Sequence, residues 1–281
     1  MADRTKHISA SHLGPGLVGT GFKANMAVRQ LIEKIKESKA KFKFDKYGYT
    51  NILWQETNGA VIDQLQALLK NQKVYIADGH HRAASAAEYR KRKLKELGSK
   101  ADPNAPWQYL LTYVASDDQV RILPYNRVIR KLPLDQNVFF AKIGEIYEVE
   151  PQDSAFNPAK KHEIALCCKG KWYRLTVKQT DFSSEVESLD VSILQDKVLS
   201  PILGIKDPRS DENIFFVGGV QDPKEMEKYV TKDGNDLFIN LYPVDIRDLE
   251  KIADSGNVMP PKSTWFDPKL LSGLVMNNLL E

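Results

Sequence analysis

The stretch Lys73-Val74-Tyr75-Ile76-Ala77-Asp78-Gly79-His80-His81-Arg82-Ala83-Ala84-Ser85-Ala86-Ala87-Glu88-Tyr89-Arg90 passes directly from strand-forming to helix-forming residues. Lys73 to Ala77 carries the valine, tyrosine and isoleucine expected of a short buried strand. Ala83 to Arg90 is dominated by alanine, the strongest helix former. Gly79 lets the backbone turn sharply between them. The order strand, tight turn, helix predicts α/β architecture here.

The turn itself carries chemistry. Asp78 is expected at the helix N-cap, where its carboxylate accepts from a backbone N–H of the first turn. The free N–H groups that follow Gly79, with the positive end of the helix dipole, make a seat for an anion. Arg82 adds a bidentate grip on phosphate. Two consecutive histidines, His80 and His81, are held neutral by the dipole and can donate to phosphate or accept a proton. The competing reading is a capping turn with surface histidines.

Working outward, Met26, Val28, Leu31, Ile32 and Ile35 recur at helical spacing, which predicts an amphipathic helix over 23–43. The glycine-rich stretch Gly14 to Gly21 reads as flexible. A strand over 49–54 leads through Thr57-Asn58-Gly59 into a helix with Val61, Ile62, Leu65, Leu68 and Leu69 on its apolar face. Strands follow over 108–115 and 120–123, and Pro124-Tyr125-Asn126-Arg127 closes this half. The second half reads as a helix over 137–146, strands over 163–168 and 171–177, and a helix over 191–199 ended by Pro201. The expected division is a phosphate-binding lobe over 1–134, with an N-terminal part that looks shortened, and a second α+β lobe over 135–281. The fold class is mixed α/β.

A second candidate element is Lys262-Ser263-Thr264, on a loop stiffened by Pro260 and Pro261. It offers an ammonium and two hydroxyls to a phosphate or a hydroxylated substrate; alone it also reads as an exposed turn. Tyr125, Asn126 and Arg127 are candidates for a substrate cleft. Trp54 reads as structural, and His7, His12 and His162 as isolated histidines, either on the surface or with their hydrogen bonds satisfied. Cys167 and Cys168 are adjacent in a presumed strand, a spacing that suits packing better than a disulfide or a zinc knuckle.

Composition narrows the classes. The 281 residues are 42% hydrophobic and 27% charged, with a net charge of +3. That balance lacks the concentrated basic charge of a nucleic-acid-binding domain, so no nucleic-acid partner is expected. No apolar run approaches the length of a membrane span, and Met1 to Leu13 lacks a signal-peptide core. No membrane partner and a cytoplasmic location follow as expectations.

Tyr75 to Arg82, Leu189-Asp190-Val191-Ser192-Ile193-Leu194, Leu203-Gly204-Ile205 and Met259 to Leu270 occur in the order found in a broad family that includes the SerK-type free serine kinases. The chain resembles this family from about Tyr47 to Met276. The Asp-Gly-His-His-Arg loop is also similar to the phosphate-binding loop of ParB and sulfiredoxin. That resemblance implies a ParB/sulfiredoxin-like nucleotide-binding lobe and a second α+β lobe. It implies phosphate binding by Gly79, His80, His81 and Arg82, with Lys262, Ser263 and Thr264 contributing. Asp78, His80 and His81 become the catalytic candidates, and Asp78 a candidate ligand for Mg²⁺.

The implied activity moves a phosphoryl group from ADP or ATP, with Mg²⁺, to the hydroxyl of free L-serine or a similar small molecule. The chain departs from the family at two places. Lys6-His7-Ile8 and Ser11-His12-Leu13 offer histidine where the family has a His-Glu pair, so the base falls to Asp78 or to an early carboxylate, with Glu56 a lesser candidate. Pro124-Tyr125-Asn126-Arg127 stands where many members have Pro-Thr-His-Arg. The alternative is a nucleotide-binding regulatory module that has lost its general base.

Overall fold

The computed structural model describes residues 2–14, 16–219, 222–267, 271 and 273–280, and the chain divides into two units, residues 1–120 with 270–281 and residues 121–269. The strand Tyr125–Ile129 lies in the second unit, where it pairs on both sides. Among the described residues no helix is long and apolar enough to cross a membrane.

The first unit opens with helix α1 (Ala2–Ser11) and the short strand β1 (Leu13–Gly14). Strand β2 (Val18–Phe22) follows, and every one of its residues is buried. The expectation of a flexible glycine-rich stretch is thus overturned in its second half. Val18, Thr20 and Phe22 are strand formers, and Gly19 and Gly21 bring backbones close. Helix α2 is shorter than expected, Met26–Lys36, capped by Asn25 Oδ1, which accepts from the Ala27 and Val28 amides. Residues expected to continue it form strand β3 (Phe42–Lys46), antiparallel to β4 (Tyr49–Leu53). The alternation Lys41-Phe42-Lys43-Phe44 has a period of two, and that period wins over the helical one.

Helix α3 (Gly59–Leu69), expected from its sequence, is capped by Asn58, whose side chain accepts from the Ala60 amide. Strand β5 (Val74–Asp78), helix α4 (His80–Leu97) and strand β6 (Thr112–Ser116) complete the sheet, whose order is β5-β2-β6. Strand β2 runs antiparallel to β5 and parallel to β6. Ile8 of α1, Tyr89 of α4, Trp107 and Leu279 pack into this unit's core cluster.

The second unit begins with β7 (Arg121–Leu123), β8 (Tyr125–Ile129), α5 (Gln136–Ile146), β9 (Tyr147–Gln152), β10 (Glu163–Cys168) and β11 (Lys171–Val177). Helix α6 (Asp190–Leu194) runs on as a π-helical stretch over Gln195–Leu199. Then come β12 (Ile214–Gly218), α7 (Pro223–Thr231), β13 (Leu237–Leu241), α8 (Ile246–Asp254) and β14 (Trp265–Asp267). The last strand, β15 (Asn277–Asn278), belongs to the first unit, where it pairs with β1.

Six of these strands form one antiparallel sheet in the order β12-β8-β13-β10-β11-β9. Alternate residues of β10 enter different clusters: Ile164, Leu166 and Cys168 join one, Ala165 and Cys167 the other. Both faces of the sheet are therefore covered, which is why all six residues of β10 are buried. The two adjacent cysteines point to opposite faces, and burial pushes their thiols up to about 12 and about 11. Asp190 accepts from the His162 amide at 3.0 and 3.2 Å, and burial raises its carboxyl to about 6.

Candidate functional site

Gly19 of β2 stands opposite Asp78 of β5, and a β-bulge falls between Gly19 and Thr20. Asp78 ends β5, and the next residue turns the chain. Gly79 has φ 91° and ψ 25°, a left-handed conformation open to glycine at little cost, and it is the N-cap of α4. The expected N-cap role of Asp78 is corrected: the cap falls one residue later, and no side chain caps the helix. The Arg82 and Ala83 amides return to Gly79 O at 2.8 and 3.0 Å. The His80 and His81 amides have no side-chain cap, and both imidazoles are exposed.

The Asp78 carboxylate is held elsewhere. Arg82 Nη2 donates to its Oδ2 at 2.9 Å. The guanidinium lies flat on two glycines: a Cβ at Gly79 would sit 2.9 Å from Arg82 Nε, and one at Gly16 would sit 2.9 Å from Nη1. The pair is 31% and 50% exposed at its side chains, so water screens it and it opens cheaply. Asp78, Gly79 and Arg82 are thus brought together, with Gly16 as a member the sequence reading missed, and His80 and His81 follow as the first two residues of α4. Its signal was present: glycine beside strand formers marks close approach.

Lys262, Ser263 and Thr264 belong to the second unit, together with Tyr125, Asn126 and Arg127. Lys262, at φ 61°, donates from Nζ to Tyr125 OH at 3.3 Å, and its ammonium sits 5.3 Å from the Tyr125 ring centroid. Arg127 is 3% exposed and donates to Tyr125 O and, at 3.1 Å, to Lys262 O. Its guanidinium lies over the Phe216 ring, and its Nε has no hydrogen-bond partner among the described residues. Burial pulls this guanidinium down to about 9.

Asn126 is fully buried and accepts from the Leu241 amide at 3.2 Å. Ser263 is buried, and its hydroxyl donates to Pro260 O at 2.6 Å. Lys262, Tyr125 and Thr264 therefore present the accessible groups of this set. Phe216 and Trp265 wall Tyr125 edge-on, with ring centroids 5.7 and 5.4 Å away. Gly218 makes room for that indole, since a Cβ there would lie 1.8 Å from Trp265 Cε3. Pro268, Lys269 and Leu270, which end the motif around the paired prolines, lie outside the described residues.

Glu56 is engaged: its Oε1 accepts from the Thr57 and Asn58 amides at 2.8 and 2.7 Å, ahead of α3. Trp54 Nε1 donates to Ser38 O at 3.2 Å, which accords with a structural role. Among the described residues no group of three or more His, Cys, Asp or Glu side chains is placed to hold a metal ion.

A family model described as protein of unknown function (DUF1015) matches residues 1–192, well over half of the chain and all of the Asp78–Arg82 loop. The chain belongs to the DUF1015 family. Among curated proteins none matches it. Solved structures with similarity to this DUF1015 protein include a conserved hypothetical protein from Pyrococcus furiosus, at 16% identity and a TM-score of 0.43, covering 96% of this chain and 84% of that one. SbnI with C-terminal truncation from Staphylococcus aureus is similar at 10% identity and a TM-score of 0.45, over 96% of this chain and 76% of that one. A free serine kinase in complex with AMP is similar at 17% identity and a TM-score of 0.37, over 89% of this chain and 83% of that one.

Proposed function

We propose that this DUF1015 protein is a nucleotide-dependent phosphotransferase that moves a phosphoryl group from ADP or ATP to the hydroxyl of free L-serine or a similar small molecule. The observation that carries the reading is the start of α4: Gly79 left-handed, no capping side chain, and Arg82 held only by a solvent-facing pair. A phosphate placed there meets the His80 and His81 amides, the positive end of an 18-residue helix, and an arginine free to swing onto it. The absence of a Cβ at Gly79 supports the fit, because it lets the Arg82 guanidinium lie against the turn.

Phosphoryl transfer depends on positioning and charge neutralisation. Arg82 leaves Asp78 for the transferring phosphate, and this frees the carboxylate next to the reacting groups. Asp78 then takes the proton of the acceptor hydroxyl or serves as the one protein carboxylate on Mg²⁺, an ion usually held by few carboxylates together with substrate phosphates. Mg²⁺, when bound, neutralises charge on the phosphates. The hydroxyl oxygen forms the new bond to phosphorus as the bond to the nucleotide's bridging oxygen breaks. His80 and His81 donate to phosphate oxygens. In the second unit Lys262, Thr264 and Tyr125 offer donors for a phosphate or for the acceptor.

A second reading is a nucleotide-binding regulatory module without turnover. It is favoured by one observation: the carboxylates of Asp78 and Glu56 are both already engaged, by Arg82 and by backbone amides. Incubation with radiolabelled ADP or ATP, Mg²⁺ and L-serine separates the two. Phosphoserine above the no-enzyme background is expected; bound nucleotide with no phosphoserine supports the regulatory module.

A further inference from the structure

The β3–β4 hairpin stands alone as a two-stranded sheet. Its register pairs Phe42 with Leu53, Phe44 with Asn51 and Lys46 with Tyr49. Residues directly opposite share a face, so Phe42, Phe44, Tyr49 and Leu53 lie on one side of the hairpin. Isolated hairpins are marginal in water, and this one still leaves Phe42 53% and Tyr49 51% exposed, with Tyr47 at the turn 78% exposed. Phe44 and Leu53 on the same side are half-buried, so the rings of Phe42 and Tyr49 form the exposed part of this face, and exposed rings of this size call for an occupant.

The charge around it names the occupant's sign. Between residues 34 and 46 the chain carries six lysines, at 34, 36, 39, 41, 43 and 46, against the carboxylates of Glu37 and Asp45. All six lysines are exposed. Asp45 is on the opposite face of the hairpin, together with Lys43, and accepts from Thr50 Oγ1 at 2.6 Å; Lys46 is on the aromatic face. Lys36 pairs with Glu33, while the Lys46 ammonium sits 4.9 Å from the Tyr47 ring centroid. The even overall charge conceals this local concentration.

We propose that the β3–β4 hairpin is a binding platform for single-stranded nucleic acid, with bases stacked on Phe42, Tyr49 and Tyr47 and the backbone phosphates tracked by the flanking lysines. Aromatic rings spaced along a strand and interleaved with lysine suit unpaired bases, whose faces are free. A duplex hides those faces, and an anionic lipid surface has no use for ring planarity. The platform is independent of the phosphotransferase reading and lies on other residues.

Fluorescence anisotropy with a labelled oligothymidylate of about 15 nucleotides tests it. Binding is expected at about 50 mM salt and should weaken steeply towards about 200 mM, with Lys46→Ala, on the aromatic face, lowering the log–log salt slope by about 0.7. Phe42→Ala and Tyr49→Ala should each weaken binding about five-fold or more, the equivalent of about 1 kcal/mol of stacking. Where an alanine variant loses its circular dichroism signature, Phe42→Leu and Tyr49→Leu, which keep the apolar bulk, repeat the measurement with the same expected direction. No oligonucleotide binding at about 50 mM salt, equal affinity in the ring variants, or binding only to phosphatidylserine vesicles would overturn the proposal.

Discussion

Arg82 folds back across one turn of α4 onto Asp78, with 2.9 Å between Nη2 and Oδ2, and its guanidinium rests on Gly79 and Gly16. The contact joins the carboxylate and the guanidinium of the Asp78-Gly79-His80-His81-Arg82 loop. An exposed pair of this i, i+4 type contributes about 0.3–0.5 kcal/mol. An arriving phosphate, which offers Arg82 a charge-assisted bidentate contact, wins that competition.

Gly79→Ala should be costly in two ways. The new Cβ must adopt φ near 91° and would sit 2.9 Å from Arg82 Nε. A left-handed non-glycine residue costs about 1–2 kcal/mol, so chemical denaturation should show a loss of that size. Calorimetry should show nucleotide binding lost even where the variant is folded.

Arg82→Ala removes the guanidinium but only a weak exposed pair, so the melting temperature should barely change. Nucleotide affinity should fall by about 1.5–3 kcal/mol, the range for hydrogen bonds to charged groups. Equal affinity in the variant would leave Arg82 as a partner of Asp78 only.

Lys262→Ala separates charge from backbone. The left-handed φ of 61° stays with alanine, while the ammonium over Tyr125 and Phe216 is removed. Ligand affinity, for nucleotide or acceptor, should weaken by about 1.5–3 kcal/mol with little change in stability. Titration calorimetry with each ligand in turn identifies which of the two the ammonium serves.

Asp190 makes stability depend on pH. Burial raises its carboxyl from 3.8 to about 6. A folded-state value above the unfolded one means that the folded chain holds the proton more tightly. The contribution is therefore full below about pH 4 and is lost as pH rises through about 6, by up to about 3 kcal/mol. Asp190→Asn keeps an acceptor for the His162 amide and should flatten this part of the profile, as measured by denaturant unfolding at pH 4.5 and 7.

The strand-turn-helix step at Asp78 was legible because everything that makes it lies within a few residues: β-formers, one glycine, then alanines. The strands over 163–168 and 171–177 were legible for the same reason, and their observed bounds match. Strand β2 was not, because its burial comes from β5 and β6, whose residues opposite Gly19 are Asp78 and Tyr113, far along the chain. Asp78 looked like a cap since aspartate is a good one; Gly79 took the position because the turn needs a left-handed residue there. The neighbours of Lys262, namely Tyr125, Arg127 and Phe216, come from strands that sequence spacing does not relate to it.

Transfer of label from nucleotide to L-serine, measured side by side for the wild-type chain, Asp78→Asn and the His80→Ala/His81→Ala double variant, tests the proposed phosphotransferase. The wild-type chain should form phosphoserine. Asp78→Asn, with Arg82 released, should still bind nucleotide and form none, and the double variant should lose nucleotide binding with unchanged circular dichroism. Absence of phosphoserine from the wild-type chain, or wild-type transfer by Asp78→Asn, would contradict it.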